Sequence, residues 1–164
     1  MFKVIAMTPM LLALAGPAAA QIPHPLDPNC ERLLPVAVVA KASGDTGVSV
    51  LAPGTISTAD NTCNYAIAGK TVILSVDLKT NATARNFQSY MRIFKEGQQA
   101  IPGLGDEAVV ASLSHQDVVV ARKGTLFVTL VGTLDLDQKS PRFGKPHLTR
   151  PQLIELARQM LAKA

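Results

Sequence analysis

The chain has 164 residues and a formal net charge of +4; 17% of the residues are charged, 4% are aromatic and none is tryptophan. The length fits one domain, the charge is far too small for a nucleic-acid-binding footprint, and the few aromatic side chains weaken any case for base stacking. We therefore expect a single domain without a nucleic-acid partner.

The first 20 residues have the three parts of a cleavable secretion signal. Lys3 supplies the positive charge, an apolar stretch follows, and residues 16–17 (Gly-Pro) precede three alanines that end at Ala20. The apolar stretch is interrupted by residues 8–9 and is shorter than the about 20 residues that a membrane-spanning helix needs. We expect cleavage after Ala20, a periplasmic or secreted mature protein, and no transmembrane segment in it.

The two cysteines, Cys30 and Cys63, both follow the predicted cleavage point. In an exported chain an even number of cysteines predicts disulfides, and two cysteines allow one intramolecular bond. A metal or thiol site is the alternative, but the spacing is not that of a C-x-x-C motif and no histidine cluster lies nearby. We expect a structural Cys30–Cys63 disulfide.

Three helices are predicted after an extended, proline-rich leader at residues 21–28. The first helix starts at Asn29 or Leu34 and ends at residues 42–44, where Ser43-Gly44 stops it. The second helix spans about Thr83 to Lys95, with Thr83 as its cap and a clear apolar face. The last helix follows a Thr149 cap, and its predicted apolar face consists of Leu153, Leu156, Ala157, Met160 and Leu161.

Six strands are predicted, at residues 48–52, 62–68, 71–79, 107–113, 118–123 and 125–134. The strand at 71–79 has the clearest alternation, with Val72, Leu74, Val76 and Leu78 on one face. Turn signals at Gly69-Lys70 and Lys123-Gly124 predict hairpins, and Ser112-Leu113-Ser114-His115 is most simply a hairpin tip. The order helix, three strands, helix, three strands, helix indicates an α+β domain over residues 29–164, in which an antiparallel sheet of about six strands packs with three helices.

The segment Gly103-Leu104-Gly105-Asp106-Glu107-Ala108 superficially matches a dinucleotide-binding fingerprint. That fingerprint requires a strand before it and a helix after it, and here the predicted order is reversed, so we expect no cofactor. Gly103, Gly105 and Asp106 instead indicate a tight structural turn into a strand. Asp106 and Glu107 are adjacent, so we expect their carboxylates to point to opposite faces and not to converge.

No set of residues predicts catalysis. His24, His115 and His147 have no serine or cysteine at a spacing that suggests a hydrolytic triad. Asp135 and Asp137 share a face, but two carboxylates are too few for a calcium site, so we expect no metal. The pattern of polar residues favours a protein that is not an enzyme. A hydrolase that uses His115 or His147 is the alternative.

A polar loop before the last helix holds a cluster of basic residues, Lys139, Arg142, Lys145, His147 and Arg150. Such a cluster can contact an anionic partner, such as anionic lipid, a cell-wall polymer or nucleic acid. The alternative is a solubilising loop, which the presence of only one aromatic residue, Phe143, favours.

Two cysteine-bearing segments and one turn resemble small exported bacterial proteins and lipoproteins of unknown function. The residues are Cys30-Glu31-Arg32-Leu33-Leu34-Pro35, Cys63-Asn64-Tyr65 and the GLGDEA turn within Ile101 to Val109. The resemblance extends from about Asn29 to the C-terminus and implies a Mog1/PsbP-like fold, with helices against a curved antiparallel sheet. Unlike in the lipoprotein members, we expect no acylated cysteine in this chain.

The resembled family has no agreed activity, so it implies no catalytic residues. We expect an exported domain that binds an unknown protein or envelope component, or that supports an envelope assembly. A secreted inhibitor or effector of another protein is the alternative, and a periplasmic hydrolase is a further one.

Overall fold

A computed structural model describes residues 24–25, 29–52, 62–94 and 97–163. Within these residues the helices are α1 (Cys30–Leu33), α2 (Val36–Ser43), α3 (Ala84–Met91) and α4 (Arg150–Ala162). The strands are β1 (His24–Pro25), β2 (Val48–Val50), β3 (Thr62–Ile67), β4 (Thr71–Thr80), β5 (Gln99–Ala100), β6 (Glu107–Leu113), β7 (Gln116–Lys123) and β8 (Leu126–Gly132). No described helix has both the length and the apolar character needed to cross a membrane.

All strand pairs of the sheet are antiparallel, and the strands follow the order β2-β3-β4-β8-β7-β6-β5, with β1 pairing beside β4 outside that order. The predicted α+β class and the antiparallel sheet are confirmed. The predicted counts are wrong, because two-residue strands such as β1 and β5 are too short to leave an alternating pattern. β1 lies within the stretch that was predicted to be an extended leader. The predicted signal peptide lies outside the described residues.

Two of the predicted hairpin turns contain residues with positive φ values, in the left-handed region of backbone conformation. In the β3–β4 turn, Ala68 and Gly69 have φ values of 49° and 66°, and the Lys70 N–H donates to the Ile67 carbonyl at 3.0 Å. Two successive positive φ values match the twist of the flanking strands. The turn therefore centres on Ala68-Gly69, one residue before the predicted position. The β6–β7 tip has the same form at Ser114 and His115.

A β-bulge in β4 changes which of its residues enter the core. Tyr65 pairs with Leu74 while Ala66 pairs with Val72, which leaves Ile73 as an extra residue. Ile73 and Leu74 are both fully buried in the same core, whereas Val72 is only half-buried. The predicted alternation is therefore correct from Leu74 onwards and wrong at Val72, because a bulge shifts the register by one residue.

The sheet has a core on each face. The larger core joins the sheet to α2 and α4, and the predicted apolar face of α4 is confirmed because all five of its residues are buried there. The smaller core lies under α3 and contains Phe87, Met91, Phe94, Ala111, Val118, Val120 and Phe127. Both faces of the sheet are thus needed to bury the apolar surface of the strands.

The predicted first helix is two helices. Leu34 has an extended backbone (φ −143°, ψ 92°) and separates α1 from α2. A residue before proline avoids the helical region, so Pro35 ends α1 and sets the start of α2. Gly44, with φ 73°, ends α2 as predicted. The apolar pattern across residues 29–42 is continuous, although the helix is interrupted at Leu34.

The predicted disulfide is present between Cys30 at the start of α1 and Cys63 in β3, with their Cα atoms 5.7 Å apart. The Tyr65 hydroxyl lies 2.6 Å from the Leu34 carbonyl oxygen and 3.1 Å from that of Cys30. Burial, followed by the nearby Glu31 carboxylate, raises the pKa of Tyr65, so its hydroxyl stays a donor. The bond and the hydroxyl together hold α1 on the sheet.

The predicted caps of α3 and α4 both form. The Thr83 hydroxyl accepts the Asn86 N–H at 3.2 Å, and the Asn86 side chain accepts the Thr83 N–H at 3.1 Å. The Gln152 side chain accepts the Thr149 N–H at 2.7 Å. These reciprocal bonds satisfy N–H groups that the first turn of a helix leaves without partners.

Candidate functional site

The loop between β8 and α4 is closed on itself at its base. The Asp135 N–H donates to the Lys145 carbonyl at 2.8 Å, and the Gly144 N–H donates to the Asp135 carbonyl at 2.7 Å. Leu134 and Pro146 form an isolated bridge, and the His147 N–H donates to the Thr133 carbonyl. These bonds define residues 135–147 as a compact loop, which we call the basic loop.

The carboxylate of Asp135 is buried at the centre of the basic loop. It accepts hydrogen bonds from the Ser140 hydroxyl at 2.5 Å and from the Asp137 N–H at 3.0 Å. The Ser140 hydroxyl in turn accepts the Arg142 N–H at 3.1 Å. The Ser140 hydrogen bond, followed by that of the Asp137 N–H, lowers the pKa of Asp135. A charged carboxylate therefore fixes the conformation of the loop from within.

A second network holds the basic loop to the turn after α2. Arg142 Nη1 donates to Asp45 Oδ1 at 2.7 Å, and Arg142 Nη2 donates to the His147 carbonyl at 3.1 Å. His147 Nδ1 lies 3.2 Å from Asp45 Oδ2. Asp45 is about one hundred residues distant in sequence from both partners, so this tie exists only in the folded chain.

The five predicted basic residues do not act as one cluster. Lys139 and Lys145 are exposed, whereas Arg142 is paired with Asp45 and His147 is buried. Arg150, in the first turn of α4, binds Asp117 of β7 at 2.7 Å. The structure thus leaves the two lysines at the surface of the loop and gives the other three residues structural partners.

Two apolar side chains of the basic loop are exposed; from the sequence, Leu136 was not noted and Phe143 was noted only as the single aromatic residue of the loop. Leu136 is 73% exposed and Phe143 is 52% exposed. They flank the paired residues Asp135 and Gly144, so they emerge from neighbouring positions at the base of the loop. The sequence does contain a signal for this exposure, because the two apolar residues stand in a polar, proline-containing segment that has no helical or strand periodicity.

The Asp45–His147 pair has the geometry of the orienting half of a catalytic triad, in which a carboxylate holds one imidazole nitrogen. The His147 side chain is only 4% exposed, and its Nε2 atom has no hydrogen-bond partner among the described residues. A general base must reach the proton that it abstracts. In this arrangement His147 fixes the basic loop, and it does not present a base to solvent.

The GLGDEA turn is held against β7 through Arg122. Gly105 has a φ of 64°, and a Cβ atom there would lie 2.4 Å from the Arg122 carbonyl oxygen. Arg122 Nη1 lies 3.1 Å from Asp106 Oδ2, and Arg122 Nε lies 2.8 Å from Glu107 Oε2. Our expectation that the two carboxylates would not converge is wrong, because Asp106 precedes β6 and is not subject to strand alternation.

Other possible sites offer fewer groups that could bind or react. An open cleft of about 380 Å³ lies between α2 and α4, with Val38 and Leu156 among its lining residues. Gln152, at its edge, is already bonded to the Ala42 carbonyl. Across the described ranges, no group of three or more His, Cys, Asp or Glu side chains is arranged to hold a metal ion.

Comparison with known proteins does not assign a family. The sequence matches no protein-family model, and no curated protein shows significant sequence similarity to it. The basis for a proposed function is therefore the geometry of the basic loop.

Proposed function

We propose that the protein is an exported binding domain, and that the basic loop is its binding surface. The observation that carries this proposal is the exposure of Leu136 and Phe143 on a loop whose conformation is fixed from inside. Exposed apolar groups cost free energy in water, and clustered ones are typical of interaction sites.

The internal hydrogen bonds of the loop support this proposal. Ordering a flexible loop on binding costs free energy, and a loop that is already fixed avoids most of that cost. The buried Asp135 carboxylate and the Arg142–Asp45 pair together fix the loop in the folded protein. A loop that served only solubility would need neither a buried carboxylate nor a tie to the turn after α2.

Export is supported by the Cys30–Cys63 bond, because disulfides persist in oxidising compartments and are rare in the cytosol. The partner is then an envelope component or another exported protein. The proposal assigns no catalytic residue to the chain.

The test measures the association of the exported protein with the cell envelope. The full chain is expressed in an export strain, and the envelope is separated from the soluble fraction by sedimentation. We expect the wild-type protein to sediment with the envelope, and the L136S/F143S double variant to remain soluble.

The matched control is I93S, because Ile93 is an apolar side chain of similar exposure (56%) in the turn after α3. This variant should sediment like the wild-type protein. Equal distribution of all three proteins would show that the basic loop is not the binding surface.

A further inference from the structure

We infer that the partner of the basic loop is an anionic lipid surface. Leu136 and Phe143 enter the boundary between head groups and acyl chains, while Lys139 and Lys145 contact lipid phosphates. This inference rests on the proposed function and identifies the partner class for the same surface.

The apolar side chains have the placement that shallow membrane insertion requires. Leu136 follows Asp135 and Phe143 precedes Gly144, and the backbones of Asp135 and Gly144 are hydrogen-bonded at 2.7 Å. The two side chains therefore lie on facing segments of one closed loop. Apolar groups of this kind bind reversibly when they are buried to the depth of the head-group boundary.

The charges around these two side chains fit lipid better than a protein surface. Lys139 and Lys145 are exposed and form no ion pair with a described residue, while the Asp135 carboxylate is buried. Asp137 is exposed, so the excess of positive charge at the surface of the loop is small. Lysine is depleted in protein interfaces, whereas at membranes its long stem lies along apolar surface and its ammonium group reaches phosphate.

Most N–H groups of the loop have partners within the protein. The N–H groups of residues 135, 137, 139, 140, 142–145 and 147 donate to acceptors within the loop or in Thr133, whereas those of Leu136 and Gln138 have no acceptor among the described residues. Pro141 and Pro146 have no N–H group to satisfy. An unsatisfied backbone group is costly near hydrocarbon. Internal pairing of most N–H groups therefore favours a position at the head-group boundary, where water still reaches the two that remain.

The experiment measures partitioning of the purified exported protein into vesicles at low and at physiological salt. One vesicle contains equal amounts of phosphatidylglycerol and phosphatidylcholine, and the other contains phosphatidylcholine alone. We expect the wild-type protein to bind the anionic vesicles more tightly. Since the contribution of the apolar side chains does not depend on charge, added salt should weaken this binding without abolishing it.

Two loop variants separate the apolar and the charged contributions. The L136S/F143S variant should lose at least about tenfold in partitioning into both vesicles. The K139Q/K145Q variant should lose about fivefold for each lysine, and only with the anionic vesicles. Matched controls are I93S for the apolar pair and K41Q/K70Q for the lysines, since Lys41 and Lys70 are exposed outside the loop.

The outcomes distinguish this inference from the proposed function. Because the substituted side chains are exposed, the variants should keep the wild-type melting temperature. If the wild-type protein binds neither vesicle at low salt, or if I93S loses as much binding as L136S/F143S, the inference is wrong. Loop-dependent sedimentation with the envelope, without vesicle binding, would assign the loop to an envelope component other than lipid and would leave the proposed function intact.

Discussion

Gly105 has no room for a side chain, and this single residue fixes the path of the chain into β6. Its Cβ position would overlap the Arg122 carbonyl, and the Asp106 N–H donates to that same carbonyl at 2.8 Å. Asp106 also accepts the Gly124 N–H at 2.7 Å. The turn therefore joins β6 to β7 and to the β7–β8 hairpin, which explains its sequence without a ligand.

Replacing Gly105 with alanine should lower the free energy of unfolding by about 3 kcal/mol, because both the positive φ and the contact with Arg122 are unfavourable. G103A is the matched control. Gly103 also has a positive φ (73°), but no atom lies within 4 Å of its Cβ position, so it should cost only about 1 kcal/mol. Urea denaturation of both variants measures the difference, and equal costs would contradict the steric argument.

The Asp135 carboxylate should control the acid stability of the basic loop. Its folded pKa is lowered, so its contribution to stability is complete above the ordinary pKa of about 3.9 and is lost as the pH falls through the lower folded value. We expect the loop to remain folded below pH 4. A carboxyl titration by NMR, with a peptide of residues 135–147 as control, should give a lower midpoint in the protein; equal midpoints would contradict this assignment.

At the scale of the elements, α1 cannot be stable by itself. It has four residues, none of them buried, and isolated helices of that length do not form in water. The Asn29 side chain accepts the Arg32 N–H at 3.0 Å, which caps the helix but does not attach it to the sheet. Attachment depends on the Cys30–Cys63 bond and on the Tyr65 hydroxyl.

The C30A/C63A double variant should lose about 3.5 kcal/mol of stability, because the bond closes a loop with a sequence separation of 33. The variant is expressed through the export pathway and unfolded with urea beside the wild-type protein. Reduction of the wild-type protein, which breaks the bond and keeps both cysteine side chains, serves as the comparison for loss of side-chain packing. A wild-type melting temperature in the double variant would refute a structural role for the bond.

At the scale of the whole molecule, the sheet is covered unequally. One face carries α2 and α4 over the larger core, and the other carries α3 over the smaller one. The basic loop lies where β8 leaves the sheet and is tied to the turn that follows α2. A loop anchored on two elements in this way can present side chains to a surface without moving relative to the domain.

Export predicts a defined start for the mature protein. Since the three alanines before Gln21 follow a helix-breaking Gly-Pro pair, we expect the exported chain to begin at Gln21. Intact-mass measurement of protein recovered from outside the cytoplasm tests this, and a variant with Ala18 and Ala20 both replaced by leucine should be retained uncleaved. Retention of residues 1–20 in the exported wild-type protein would contradict the prediction.

The sequence alone determined the features that depend on neighbouring residues. The caps at Thr83 and Thr149, the apolar face of α4 and the hairpin tip at Ser114-His115 follow local rules of hydrogen bonding and periodicity, and they were predicted correctly. The disulfide was also predictable, because two cysteines allow one intramolecular pairing.

Contacts between distant parts of the chain determine which loop residues are available for binding. Five basic residues looked equivalent in sequence, but Asp45 pairs with Arg142, Asp117 pairs with Arg150, and burial removes His147 from the surface. Leu136 and Phe143 became candidates because no core residue covers them. Pairing and burial depend on contacts between residues far apart in the chain, and a local pattern carries no information about those contacts.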